Sequence, residues 1–125
     1  MKLSKVSYPE LEVLFKITSI IGEYIQEEAQ STRSTEGVKK SRLHADFGLA
    51  RELAKKFANK MINIQGNKTC TIVLKDYEAV LFTDYLGVCN SVIDGYGVVV
   101  FEKHIMHIYK ELFTRNIIVK NDRQH

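Results

Sequence analysis

A mainly α, single-domain bundle of about four helices with one short extended segment is the fold that residues 1–125 predict. Three observations carry that expectation. Apolar residues recur at spacings of three and four over long stretches. Capping and turn residues bracket those stretches. The length of 125 residues, with 45% apolar and 26% charged side chains, suits one globular core, because folding at this size buries roughly two thirds of the chain's surface.

Ser7 followed by Glu10 forms a capping-box pattern, and Pro9 is tolerated in a first helical turn, so a helix is expected from about Tyr8 to about Ala29. Leu11, Leu14, Ile17, Ile21, Tyr24 and Ile25 share one side of it. Val13, Phe15 and Ile20 widen the apolar arc to about 220°. Such an arc exceeds what a surface helix needs, which places this helix at the centre of the fold or part of its face against another subunit.

Residues 31–41, STRSTEGVKKS, lack hydrophobic periodicity and read as an exposed loop. A second helix is predicted from about Ser41 to Ile64, with Leu43, Phe47, Ala50, Ala54, Phe57 and Met61 inward and Gly66–Asn67 as its stop. TCTIVL, 69–74, is β-branched and extended in character. A buried third helix follows from about Tyr77 to Ile93, capped at Lys75 or Asp76, with Gly87 available for close backbone approach.

Asp94, Gly95 and Gly97 make a turn, and a last helix runs from about Val98 to Thr114. GVVVF also has strand propensity, so a two-stranded pairing of 69–74 with 96–101, giving an α+β fold, is the alternative. Residues 116–125 read as a frayed tail, and no internal repeat or second domain is apparent.

Several function classes lose support. No run reaches the length of a membrane span, roughly 18 apolar residues, and no apolar signal core precedes Pro9, so a cytoplasmic protein without membrane contact is expected. Cys70 and Cys89 lie in apolar surroundings without a CxxC motif and read as free buried thiols. Gly37 to Ser41 resembles a phosphate-loop end only superficially, since Thr32 stands where the earlier glycine belongs. There is no GxSxG motif, Asp84 reads as a solvated carboxylate, and no catalytic residue or cofactor is predicted.

His104, His107 and Glu111 share one flank of the last helix at spacings that let side chains converge on a metal ion. No second helix offers a matching ligand pair, however, and a zinc site draws about three or four ligands. The favoured reading makes His104 and Glu111 boundary residues, with Glu111 paired to Arg115.

The positive charge is local. Residues 31–60 hold eight Lys or Arg against three acids, while 1–30 hold three against five. Arg33, Lys39, Lys40 and Arg42 are the candidate contacts if nucleic acid is a partner. The basic residues of the second helix nevertheless split between two flanks, and Phe47 and Phe57 face inward rather than forming stacking platforms. The leading expectation is therefore a non-enzymatic protein-interaction module that self-associates through helical faces, with Val13, Ile20 and Tyr24 as interface residues.

Overall fold

A computed structural model of the chain describes residues 1–31, 37–90 and 95–116, excepting the side chains of 37–39 and Tyr96. The fold is mainly α with a small antiparallel sheet. Strand β1 (Lys2–Val6) leads into helix α1 (Tyr8–Ser31), followed by α2 (Gly37–Asn63) and strand β2 (Cys70–Val73). Helices α3 (Asp76–Asp84) and α4 (Leu86–Asn90) come next, and α5 (Tyr96–Val100) runs through a π-helical segment (Phe101–Ile105) into α6 (Met106–Thr114).

The mainly helical expectation holds, including a helix through the GVVVF stretch. The alternative pairing does not occur, since β2 pairs with β1, joining Leu3 to Ile72 and Val6 to Cys70. Between those pairs Ser4 and Lys5 of β1 face the single Thr71 of β2, a bulge in which Lys5 takes a left-handed φ of 55°. The bulge turns both Leu3 and Val6 into the core although they are three apart.

Residues 31–41 do not form a loop throughout. Ser31 closes α1, 37–41 already belong to α2, and 32–36 lie outside the described residues. A first helical turn needs no apolar periodicity, its N–H groups have no intrahelical partners to lose, and lysine is a good helix former. In the expected tail, Asn116 occupies a turn with φ 59°, and 117–125 lie outside the described residues.

The expected third helix is broken at Tyr85, whose φ of −115° and ψ of 35° interrupt the rod. That break lets the Tyr85 hydroxyl donate to Asp46 Oδ2 at 3.0 Å on α2. The helix end expected at Ile93 and the turn residue Asp94 lie outside the described residues. Gly95 turns with a left-handed φ of 48°, whereas Gly97 already belongs to α5. Gly87 has no neighbour within 4 Å of a Cβ added there. At Gly22, where α1 faces α2, a Cβ would lie at ordinary contact distance, 3.9 Å from Ala50 Cβ and from Phe47 Cε1.

The core gathers Leu11, Leu14, Ile17, Ile21 and Ile25 of α1 against Leu53 and Phe57 of α2, Phe82 of α3, and Ile105, Ile108 and Leu112 of the last rod. Phe57 and Phe82 stand with ring centroids 6.4 Å apart. In the π segment the Met106 N–H bonds to Phe101 O, so one turn holds an extra residue. The insertion brings His104 inward alongside Ile105, and both are buried. No helix among the described residues is long and apolar enough to cross a membrane.

Candidate functional site

Among the described residues, one face of the α1–α2 hairpin is uncovered. Only 32–36 join the two helices, which makes them antiparallel neighbours. The buried arc of α1 faces the core, whereas Tyr8, Phe15 and Gly22, at seven-residue spacing, fall on one line of its outer flank. Tyr8 and Phe15 are exposed, as is Ile62 of α2, with 79% of its surface open. Between the helices runs an open groove of about 400 Å³, floored by Ser19, Gly22, Ala50, Ala54 and Ala58 with Phe15 and Phe47 at its ends.

Its two rims differ in charge. Glu23 and Gln26 line the α1 side, and Arg51 and Lys55 line the α2 side. The Arg51 guanidinium sits 5.8 Å above the Phe47 ring centroid, which orients the cation at the groove's edge. Small side chains on the floor with large ones at the margins give a surface into which another helix can settle.

Ile20 and Tyr24 lie on the other flank of α1, in an open cleft of about 640 Å³ shared with Asp84, Tyr85 and Val88. Tyr24 meets Tyr85 edge to face at 6.0 Å, and its hydroxyl donates to Glu28 Oε1 at 3.2 Å. Burial first, and then the Asp46 carboxylate it bonds, push the Tyr85 hydroxyl well above the ordinary tyrosine range. Val13 is half-buried against the core and does not join Ile20 and Tyr24 in lining this cleft.

At the N-terminal ends of α1 and α3, each strand enters its helix through a buried glutamate. Glu10 Oε1 accepts from the Ser7 N–H at 2.9 Å, and Glu78 Oε1 accepts from the Lys75 N–H at 2.8 Å. A lysine from another helix clamps each junction. Lys103 Nζ donates to Lys5 O and both Glu10 oxygens, and Lys56 Nζ donates to Val73 O and both Glu78 oxygens. The clamped carbonyl stands five residues before the glutamate in both cases. The two junctions thus repeat one device that the apolar pattern does not reveal.

His104 Nε2 lies 3.4 Å from Glu10 Oε1, both side chains being buried. Burial pushes the Glu10 carboxyl up, but the Ser7 amide, Lys103 and His104 together hold it below the usual range. Burial lowers His104 against the pull of Glu10, and Lys103 and His107 lower it further. Paired carboxylate and imidazole can serve acid and base chemistry, but a substrate must reach them. Glu10 is 4% and His104 2% exposed, so both groups lie beneath the surface.

The structure does not bring the predicted metal ligands together. His104 turns to Glu10, His107 is exposed and Glu111 is half-buried. Among the described residues no three His, Cys, Asp or Glu side chains are grouped to hold an ion. Arg115 pairs with Asp76 at 3.0 Å rather than with Glu111. Of the candidate nucleic-acid contacts, Arg33 and the Lys39 side chain lie outside the described residues, Lys40 is half-buried, and Arg42 is exposed 3.9 Å from Asp84.

No family model, no curated protein and no solved structure matches the chain.

Proposed function

We propose that this protein is a non-enzymatic, cytoplasmic assembly module that docks another protein surface on the outer face of its α1–α2 hairpin and self-associates there. The observation that carries the reading is the apolar groove from Phe15 to Phe47, with small side chains along its floor. Exposed contiguous apolar surface on a small domain marks an interaction site more often than isolated exposed residues do. Two unpaired cysteines suit a reducing compartment.

This reading keeps the self-association expected from the wide apolar arc of α1 and moves it to the flank opposite Val13, Ile20 and Tyr24. Val13 is half-buried against the core, and Tyr24 has an aromatic neighbour in Tyr85. The groove flank carries aromatic margins over a floor without bulk.

Phe15→Glu tests the proposal. Phe15 is 37% exposed, so the variant should fold while placing a charge in the groove. The expected result is loss of association in light scattering with an unchanged helical circular dichroism spectrum. Ser19→Arg, in the same groove, should act alike, and Ile20→Glu on the other flank should leave association intact. Association that survives both groove variants would overturn the assignment of this face.

A further inference from the structure

We infer that the occupant of the α1–α2 groove is a second copy of the chain, docked about a twofold axis parallel to the hairpin so that Glu23 of each copy meets Arg51 of the other. This inference rests on the self-association proposed above and gives its symmetry and its charge pairing.

The hairpin's charge layout argues for that occupant. Rotation by 180° about an axis along the groove lays α1 of one copy over α2 of the other and keeps the residues at their own heights along the axis. Gly22 stands opposite Ala50, so Glu23 lies within about one helical turn of Arg51's height. Glu23 of one copy then covers the Arg51 rim of the other, twice over by symmetry. In the same arrangement Phe15 comes to the height of Ala58, so a large side chain faces a small one.

The expected strength follows from size. The face from Tyr8 to Gln26 is about 27 Å long and two helices, or about 18 Å, wide, which gives about 500 Å² per copy. That is near the low end of specific interfaces, where complexes are weak and reversible. Two charge pairs at the rim therefore contribute a sizeable share of specificity and register. A partner chosen for an unrelated chemistry would not need opposite charges on opposite rims at matching heights.

The test uses two charge reversals at exposed positions, Glu23→Lys and Arg51→Glu. Each alone replaces both attractions in a homodimer by repulsions and should weaken self-association by at least about tenfold. Mixed in equal amounts, the two variants regain both attractions. In the mixed dimer the two substituted positions face each other with opposite charges, and the unsubstituted Glu23 and Arg51 meet on the other side of the axis. A heterodimer near wild-type strength is therefore expected. Light scattering of each variant and of the mixture, with helical content monitored, gives the readout.

Restoration on mixing supports the twofold arrangement, because a folding defect in either variant would not be cured by adding the other. Single reversals that leave association unchanged, while Phe15→Glu abolishes it, would overturn the twofold pairing and leave the docking face standing. Weakened variants that fail to recombine would also overturn it. Wild-type protein that remains monomeric at all concentrations would remove both this inference and the reading beneath it.

Discussion

Replacing Glu10 by Ala should cost about 3 kcal/mol of stability, through three separable losses. The Ser7 N–H loses its 2.9 Å acceptor at the start of α1, worth about 1 kcal/mol by analogy with other N-terminal caps. His104 loses the buried oxygen at 3.4 Å, and an unsatisfied buried ring nitrogen costs about 1 to 2 kcal/mol. Lys103 can turn to water because its side chain is 41% exposed, so its ion pair contributes only about 0.5 kcal/mol. For a domain of this size the total lowers Tm by about 10 °C. Glu10→Gln keeps an acceptor for Ser7 and should lose roughly half as much. Thermal unfolding followed by circular dichroism measures both. A Glu10→Ala variant melting within about 2 °C of wild type would refute the argument that this carboxylate locks β1, α1 and the π segment together.

The other expectations are smaller in scope. Burial holds His104 below its ordinary value of 6.5, so the unfolded chain takes up a proton first as pH falls; stability is full above that value and declines as pH drops through the folded pKa. Glu10, held below 4.5, adds a further loss only at more acid pH. Urea midpoints at about pH 7.5 and about pH 5.5 check the histidine part, and a slope unchanged in His104→Gln would contradict it. Burial pushes the Cys89 thiol up to about 12, so native protein should resist alkylation there until it unfolds, as peptide mapping after brief iodoacetamide treatment would show. Gly22→Ala should raise stability by about 0.5 to 1 kcal/mol, because helix propensity improves and the new Cβ would meet only ordinary contacts at 3.9 Å. A lower denaturation midpoint for this variant would mean that the hairpin is packed more tightly than those contacts imply.

The long helices were legible because their inward residues keep helical spacing, as Leu11, Leu14, Ile17, Ile21 and Ile25 do. The Ser7–Glu10 capping box was legible for the same local reason and is present as expected. Strand β1 was not, because the bulge at Lys5 destroys the alternation by which a strand is recognised, leaving Leu3 and Val6 three apart. The break at Tyr85 depends on a hydroxyl reaching Asp46 on another helix, a long-range partner that local pattern does not encode. The π segment turned His104 from a boundary position into the core, and only its bond to Glu10, far away in sequence, makes that burial tolerable. At the docking face, Phe15 was visible as part of a wide apolar arc, but the choice between its two flanks required knowing where α2 lies.

Self-association through the hairpin face is the central claim, and the mass of the wild-type protein over a concentration series is its most direct test. Sedimentation equilibrium or light scattering from about 10 to 500 µM covers the range expected for an interface of this size. A mass that climbs from 14.4 kDa toward twice that value, reversibly on dilution, is the predicted result. A mass that stays at 14.4 kDa across the whole range would contradict the claim.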